Sequence, residues 1–563
     1  ILIDHDPVGV YSLADLVRTP TYTASTDRKL YGEFKLSNIK FRGLHAQHPS
    51  SNTVHLFALS NCSLVAFHDV EAYDICGKFS RVVSCDQVWV WGGNYERIGS
   101  GVHVYRNCNN VRIVGPRGEW SGDDFVALHS TDPGVYPIAA QHYVAGVQTL
   151  NCGEILCLGA RNTIVTGCSV RGFGASIYVG GAIGTEGYNS SSALIVKDNI
   201  VENSIGYWDQ TTHAVLATSA QWGYITVQGS PGTASNPTTG SQPPYFGYAS
   251  GAVKPIIGLD TAGDFLIDNF GSGKTIPQGI LIDVSHNTAI RTLPAVTNFS
   301  DYGWGDFWAP EAGAGVYDPA IADTNFIYNG ISLMGEMIGA VIDGNKTHGH
   351  SLGASLFFRV ITGMEPTRAF RKIIVSNHVG LDCSWGVSTT YRASTVSSPY
   401  YNWDIIFDNC EFDCDPIHTS TQRTSPIDGT WDAGVSASSA VSGFMLRNIV
   451  GWKIRGGKVS NCYLPVSTVN GDTVDGTVDG LMVICDPVNW NYDAANKGVA
   501  YCGEGSTYHH RIVHCDPSDT ANYGNVKNEC SKQSQTVPTA GKYLPGHRIE
   551  KKRPAIAGGV VAW

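Results

Sequence analysis

The sequence predicts an all-β protein, a right-handed parallel β-helix (solenoid) with long side loops and a small C-terminal element. Three observations support this fold class: a composition that favours strands and turns, a regular repeat marked by Cys62, Cys85 and Cys108, and an alternation of apolar and variable residues within each repeat. The chain of 563 residues has 64 glycines but only 5 methionines. Val, Ile, Thr, Tyr, Ser and Asn dominate it, which is typical of short strands joined by turns.

The repeat is clearest in three consecutive segments, NCSLVAFHDVEAYD, SCDQVWVWGGNYER and NCNNVRIVGPRGEW, which align without gaps. The period-2 alternation in each segment predicts a strand with one face constantly apolar and the other free to vary. Two inward columns are predicted, one of Val65, Val88 and Val111 and the other of Phe67, Val90 and Ile113. A fourth copy, RNTIVTGCSVRGFG, predicts that Ile164 continues the valine column.

Looser copies follow further along the chain, in SSALIVKDNIVENS, MIGAVIDGNKTHGH, FRKIIVSNHVGLD, YNWDIIFDNCEFD and IVGWKIRGGKVSNC. Stacking such turns buries a continuous core that a single turn cannot bury alone. We expect the β-helix to cover residues 1–485, with insertions at about 228–252 and 296–325. Residues 486–563 are predicted to form a separate C-terminal β element, and we expect both ends of the chain to be trimmed.

Composition also excludes several classes of function. A net charge of −11 leaves no basic footprint for nucleic acid, and no apolar stretch approaches the roughly 20 residues of a membrane span. The 15 cysteines form no C-x-x-C pair, so they predict small buried thiols, not disulfides or a zinc site. The segment HHRIVHC, with His509, His510 and His514, has no acidic ligands at a suitable spacing. We therefore expect no metal and no cofactor.

The segment SGDDFVALHS contains the strongest candidate for chemistry, the adjacent acids Asp123 and Asp124. In the register of the repeat, Asp123 lies above Ser100 and Asp124 above Gly101. The same register predicts that a second pair of acids, Glu96 and Glu119, shares one column. Stacked carboxylates repel unless one is protonated or paired with a cation. The nearby arginines are Arg97, Arg112 and Arg117.

The segment GDDFVAL resembles the Gly-Asp-Asp motif of the polygalacturonases within the pectin-lyase-like β-helix superfamily. That resemblance implies hydrolysis of a glycosidic bond, with Asp123 as general acid and Asp124 as the base that activates water. Ser100 stands where the family has its third aspartate, and Phe173 replaces the family's histidine. The segment NSIGYWDQ lacks the Arg-x-Lys that binds galacturonan, so only the two aspartates are carried over.

The whole layout is similar to bacteriophage tailspikes, which combine a long β-helix with side loops. This resemblance implies a homotrimer in the virion tail that contacts other tail proteins and cleaves a bacterial capsule or lipopolysaccharide at the host cell surface. Alternatives are a non-catalytic receptor-binding spike, a polysaccharide lyase on the same fold, and a secreted pectinase-like hydrolase.

Further candidate residues surround the acids. Trp89, Trp91 and Trp120 are predicted to stack on sugar rings or to cover a subunit interface, and His103 and Arg97 are candidate substrate-binding residues. Glu96 and Glu119 are the alternative catalytic acids. Weaker candidates are the loop acids Glu186, Asp209 and Glu311, two of which, Glu186 and Glu311, could line a groove between subunits.

Overall fold

A computed structural model of the chain describes residues 2–4, 31–43, 55–105, 108–121, 124–129, 139–172, 175–181, 193–202, 207–209, 214–216, 223–228, 256–259, 265–267, 275–276, 281–291, 329–334, 337–350, 353–359, 370–383, 385–389, 402–414, 442–446, 449–460, 464–468, 473–474, 476–484, 501–502, 532–534 and 549–551. These residues are all β, without a helix among them, and most of their strands pair in parallel. In this part of the chain we find no helix with the length and apolar character of a membrane span.

The chain divides into two compact units. The first comprises residues 1–219, 224–281 and 292–327. Its strands are β1 (Leu2–Asp4), β2 (Tyr31–Ser37), β3 (Lys40–Arg42), β4 (His55–Ser60), β5 (Cys62–His68), β6 (Glu71–Val83), β7 (Gln87–Trp91), β8 (Asn94–Tyr105), β9 (Asn110–Val114), β10 (Arg117–Ser121), β11 (Val126–His129), β12 (Ala139–Ala145), β13 (Gln148–Leu150), β14 (Ile155–Thr166), β15 (Ser169–Arg171), β16 (Ile177–Gly181), β17 (Ala193–Lys197), β18 (Ile200–Glu202), β19 (Tyr207–Asp209), β20 (Ala214–Leu216), β21 (Gly223–Gln228), β22 (Ile256–Leu259), β23 (Phe265–Ile267) and β24 (Thr275–Ile276).

Most strands of the first unit form three parallel ladders. The first ladder joins β2, β5, β7, β9, β12, the second half of β14 and β17. The second joins β3, the first half of β6, the first half of β8, β10, β13, β15 and β18. The third joins β1, β4, the second halves of β6 and β8, β11, the first half of β14, β16 and β21. Each turn of chain therefore adds one strand to each ladder.

The predicted valine column is confirmed for its first three members. Val65 pairs with Val88 and Val88 with Val111 in the first ladder, and all three are fully buried. The prediction for Ile164 is wrong by one residue. The column continues through His142 and Thr163, both buried, whereas Ile164 is only half-buried and belongs to the neighbouring outward column.

Left-handed backbone marks the corners between ladders. Between the second and third ladders, Asp74, Arg97, Trp120 and Asn151 have φ of 58°, 52°, 62° and 54°. Their spacing follows the strand register, so these residues occupy equivalent positions in successive turns. Asn, Asp and Gly adopt this conformation at low cost, which explains why the chain is rich in them. Arg97 and Trp120 are exceptions that other contacts must offset.

Nine cysteines have side chains that the structure describes, and these nine are buried thiols outside any disulfide, as predicted. Three of them stack at successive turns of the first unit. The backbone N–H of Cys62 donates to Sγ of Cys85 at 3.4 Å, and that of Cys85 donates to Sγ of Cys108 at 3.3 Å. The regular cysteine spacing thus reflects thiols that accept hydrogen bonds from the adjacent turn.

The second unit comprises residues 220–223, 282–291 and 328–563. Its strands are β25 (Leu281–Ser285), β26 (Thr288–Ile290), β27 (Asn329–Met334), β28 (Met337–Ile338), β29 (Val341–Asp343), β30 (Lys346–His348), β31 (Ala354–Arg359), β32 (Phe370–Arg371), β33 (Ile374–Ser376), β34 (Val379–Cys383), β35 (Trp385–Ser388), β36 (Asn402–Trp403), β37 (Ile406–Asp408), β38 (Glu411–Cys414), β39 (Ser442–Leu446), β40 (Ile449–Val450), β41 (Lys453–Arg455), β42 (Lys458–Ser460), β43 (Leu464–Thr468), β44 (Thr473–Val474), β45 (Thr477–Asp479), β46 (Met482–Ile484), β47 (Tyr501–Cys502), β48 (Lys532–Ser534) and β49 (Ile549–Lys551).

The looser copies that the sequence predicts as strands are strands here as well. Parallel ladders join β29, β33, β37, β41 and β45, then β30, β34, β38, β42 and β46, then β31, β35, β39, β43 and β47. The predicted insertions, at about 228–252 and 296–325, lie outside the described residues except for Gln228, the last residue of β21, as does most of the predicted element at 486–563.

Candidate functional site

Phe125 anchors the chain that carries the candidate acids. Its ring is fully buried and packs edge-on against Tyr95, with 5.8 Å between ring centroids. The ring occupies space that two glycines leave open. A Cβ on Gly118 would lie 2.3 Å from Cε2 of Phe125, and a Cβ on Gly101 would lie 2.0 Å from the Phe125 carbonyl oxygen. The apolar residue after the acid pair therefore fixes the backbone on which Asp124 sits.

Asp124 is half-buried at the entry to β11. Its carbonyl oxygen accepts two hydrogen bonds, from the backbone N–H of Gly101 at 3.1 Å and from Nε2 of His103 at 3.2 Å. The predicted register is wrong by one residue here. Since the N–H of Val102 bonds to the Phe125 oxygen and Val102 pairs with Val126, the residue opposite Gly101 is Phe125, not Asp124.

A buried polar cluster supports His103 from the adjacent turn. Nδ1 of His103 lies 3.0 Å from Nζ of Lys78 and 2.7 Å from Oη of Tyr105, and Lys78 donates to the Tyr105 oxygen at 3.4 Å. Lys78 and His103 are 7% and 2% exposed, whereas Tyr105 is half-buried. Tyr105 is therefore the member of the cluster that reaches solvent.

Sequence reasoning missed Lys78 and Tyr105. The available signal is the isolated lysine in ICGKFS, a segment that is otherwise uncharged. Lys78 precedes His103 by 25 residues, not by the 23 residues of the repeat, so the register of the repeat does not bring the two side chains together. The role of Tyr105 depends on the side-chain geometry of the third ladder, which no spacing rule reveals.

Glu96 and Glu119 share one column, as predicted, because β8 and β10 pair Glu96 with Glu119 in the second ladder. Arg97 contacts Glu96 through Nη1, so one of the two stacked carboxylates has the cation partner that the sequence predicts. Arg97 also donates from Nε to Oδ1 of Asp74 at 2.6 Å. This hydrogen bond, together with Arg42, holds the pKa of the buried Asp74 carboxyl below its usual value.

The candidate aromatic residues lie on another ladder. Trp89 and Trp91 alternate outward on β7 in the first ladder, and their rings meet edge-to-face with centroids 5.4 Å apart. Trp120 occupies the left-handed corner directly after Glu119. The fold thus brings Glu96 beside Glu119 and His103 beside Asp124, while it carries the Trp89–Trp91 pair on a separate ladder.

The remaining candidates fall on residues that the structure does not describe. Asp123, Glu186, Glu311 and the histidines 509, 510 and 514 lie outside the described residues, and Asp209 is described only in its backbone. Within the described part, no three or more His, Cys, Asp or Glu side chains group as metal ligands would. A comparison of the chain with models of protein families, with curated proteins and with solved structures finds no match.

Proposed function

We propose that the chain is a right-handed parallel β-helix of the tailspike kind, which binds and cleaves a bacterial surface polysaccharide by hydrolysis. Support for the architecture comes from the three ladders of the first unit, in which each turn of chain adds one strand to every ladder. Connections between parallel strands of one sheet are right-handed in nearly all proteins. Left-handed residues at equivalent corners fit the same winding.

One observation carries the proposed activity: Asp124 is held by two hydrogen bonds to its carbonyl and by the buried Phe125 ring that follows it. Glycosidic hydrolysis needs two carboxyl groups at a controlled separation, about 5–5.5 Å for retention and about 6.5–9.5 Å for inversion. The two hydrogen bonds and the Phe125 ring fix the backbone of Asp124, one member of that pair. Asp123 acts as general acid and Asp124 as the base. Glu96 and Glu119 are the alternative catalytic acids.

Assembly and location extend the proposal. The first unit exposes large apolar side chains on its ladders, with Leu150 45%, Ile200 38% and Trp91 36% exposed. Apolar side chains at these positions favour a partner that covers them. We propose a homotrimer with parallel axes in the virion tail, attached to other tail proteins and acting outside the host cell. Light scattering that returns a monomer mass contradicts the trimer and leaves the cleavage proposal standing.

The cluster of Lys78, His103 and Tyr105 favours a second candidate reaction, β-elimination by a polysaccharide lyase. β-Elimination begins with removal of a carbon-bound proton, and a tyrosine phenolate, stabilised by a neighbouring ammonium group, is a base that can accept that proton. The two reactions differ in their products. Hydrolysis consumes water and leaves saturated sugars, whereas elimination leaves an unsaturated uronate that absorbs ultraviolet light.

The test is release of oligosaccharides from a panel of purified capsular polysaccharides and lipopolysaccharides. Asp123→Asn and Asp124→Asn keep side-chain size and should each lower the rate by about 10²-fold or more. Asp198→Asn is the matched control, because Asp198 is an exposed left-handed aspartate on a different corner. It should keep the parental rate.

Three other outcomes contradict parts of the proposal. If both aspartate variants stay within a few-fold of the parent while Glu96→Gln or Glu119→Gln is inactive, the glutamates carry the chemistry. Products that absorb ultraviolet light as unsaturated uronates show that the reaction is elimination, which contradicts hydrolysis. Binding without any release by the parent chain identifies a non-catalytic receptor-binding spike.

A further inference from the structure

The environment of His103 defines which of its nitrogens carries a proton. Nε2 faces the Asp124 carbonyl oxygen, which can only accept, so Nε2 must bear hydrogen. Nδ1 faces Nζ of Lys78 at 3.0 Å, and an ammonium group can only donate. Nδ1 is therefore an acceptor. Nδ1 also lies 2.7 Å from the Tyr105 hydroxyl, which can donate as well as accept. We assign the ring as the neutral imidazole protonated at Nε2, the species that fits a charged Lys78 at Nδ1.

Among the residues that the structure describes, charged and titratable groups reach His103 from β6, from β8 and from the chain that enters β11. On β6 these are Lys78 and Arg81, the residue that pairs with His103 in the third ladder. On β8 itself the neighbour is Tyr105, over whose ring the Arg81 guanidinium lies at 5.8 Å. On the chain that enters β11 the neighbour is Asp124, and His129 pairs with Tyr105 in register, although its side chain is not described.

We propose that His103 is a positioning residue for Asp124, active only as the neutral imidazole, so that its protonation switches polysaccharide cleavage off in acid. This inference rests on the proposed function at Asp124. Protonation would place a second positive charge at Nδ1, 3.0 Å from the Lys78 ammonium. That repulsion displaces the ring, and the Asp124 carbonyl then loses one of its two donors. The carboxylate on the same residue moves with it.

The first experiment compares pH–rate profiles on whichever polysaccharide of the panel the parent chain cleaves. In His103→Gln the side-chain amide can still donate to the Asp124 oxygen but cannot titrate. We expect this variant to lose the fall in kcat on the acid side, measured as the ratio of its kcat at pH 8 to its own kcat in acid, a ratio that does not depend on how much activity the variant keeps. In Lys78→Met the fall should also be lost, because a protonated His103 then meets no second positive charge from Lys78 and can still donate from Nε2 to the Asp124 oxygen.

The matched control is His68→Gln, which removes an exposed imidazole of the first ladder and should leave the acid side of the profile unchanged. Tyr105→Phe removes the hydroxyl and keeps the ring. It should preserve the fall in kcat at acid pH, because Lys78 still faces Nδ1 of His103. If His103→Gln retains the parental fall in kcat, another group sets the acid limit and the proposal is overturned.

The second experiment needs no substrate, so it separates this proposal from the proposed function. In protein labelled with ¹⁵N at histidine, the imidazole signals that disappear in His103→Gln belong to His103. We expect the pattern of a neutral ring protonated at Nε2 at pH 7.5. A ring protonated at Nδ1, or an imidazolium at that pH, overturns the positioning role even if cleavage is observed. Absence of cleavage with the expected tautomer overturns the proposed function alone.

Discussion

Nε of Arg97 lies 2.6 Å from Oδ1 of Asp74, so an ion pair joins the left-handed corner residues of two successive turns. Arg42, from the turn before, contacts the other oxygen of Asp74 at 3.2 Å. The Asp74 side chain is 7% exposed, while those of Arg97 and Arg42 are 35% and 74% exposed. A buried carboxylate thus links three turns through cations that stay in contact with water.

Replacing Asp74 separates the ion pairs from the backbone requirement. Asp74→Asn should lower the free energy of unfolding by about 1 kcal/mol at pH 7, because it removes charge-assisted hydrogen bonds to partly exposed cations. Asp74→Ala should cost about 1 kcal/mol more, since Asn tolerates the left-handed φ and Ala does not. Urea unfolding followed by tryptophan fluorescence measures both, and equal losses in the two variants contradict the backbone argument.

The same pair has a defined pH dependence. The folded-state pKa of Asp74 is lowered by Arg97, so its stabilisation is complete above the ordinary carboxyl pKa of about 3.9 and is lost as pH falls through the lowered value. The difference in stability between the parent and Asp74→Asn should therefore disappear in strong acid. A difference that persists there assigns the effect to packing.

Gly101 and Gly118 are predicted to be intolerant of any side chain. In Gly118→Ala the new methyl group meets a ring edge, and the expected loss is about 1–3 kcal/mol. Gly101→Ala should lose more, because its Cβ meets the backbone carbonyl of Phe125, which cannot rotate away. Gly32→Ala is the control: nothing lies within 4 Å of its added Cβ, so a change within about 0.5 kcal/mol is expected. The urea concentrations at the unfolding midpoints of the three variants rank their stabilities. A Gly101→Ala variant with the parental midpoint contradicts the prediction.

A buried histidine makes the second unit sensitive to acid. Burial lowers the pKa of His378 to about 3, and its Nε2 lies 2.7 Å from Oγ of Ser355. His378 stays neutral in the folded state while the unfolded chain takes up a proton below about pH 6.5. Stability should therefore be complete above that pH and fall by up to about 1.4 kcal/mol per pH unit as pH drops toward the folded-state value.

The variant His378→Gln keeps hydrogen-bonding groups and cannot titrate, so its unfolding midpoint should fall less steeply between pH 7 and 4.5. His348→Gln, which removes a partly exposed imidazole paired with Asp382 at 2.8 Å, is the control and should follow the parent slope. A parental slope in His378→Gln means that other groups carry the acid sensitivity. The measurement is the urea concentration at the unfolding midpoint of the parent and both variants at three pH values between 7 and 4.5.

The buried thiols should resist alkylation in the folded protein. Burial raises the pKa of Cys152, Cys168 and Cys410 to about 12 and that of Cys85 further still. Because the thiolate is the nucleophile, iodoacetamide at pH 8.5 should leave these four cysteines unmodified. Peptide mass spectrometry checks this, with the urea-unfolded chain as the control in which all react. Rapid native labelling of Cys152 would contradict the described core.

The valine column was predictable because two successive turns, from Val65 to Val88 and from Val88 to Val111, have the same length. The prediction failed at Ile164 because the turn from Val111 to its partner His142 is longer than the two turns directly before it. In addition, His142 and Thr163 are polar residues in an inward column. A fixed sequence spacing identifies the residues of one inward column only while successive turns have the same length and the column stays apolar. For the same reason Asp124 was misplaced by one residue, since the pairing of β8 changes its offset between the second and third ladders.

The candidate site was predictable where it follows from register and not where it depends on side-chain reach. Glu96 beside Glu119 is a property of two equally spaced turns. The contact of Lys78 with His103 requires a long amine to cross from one turn to the next at a position where the register of β6 and β8 shifts, between Ile75 and Lys78. No periodic pattern reports such a contact.

The unequal turn lengths have an evolutionary consequence. The turn from Val111 to His142 is longer than the turn from Val88 to Val111, and the next turn, to Thr163, is shorter again, yet the first ladder continues through all of them. Strand pairing is thus insensitive to how much chain joins consecutive turns, since lengthening a connection costs little in closure entropy. Connecting segments can therefore change in length or sequence over evolution without refitting the core beneath them.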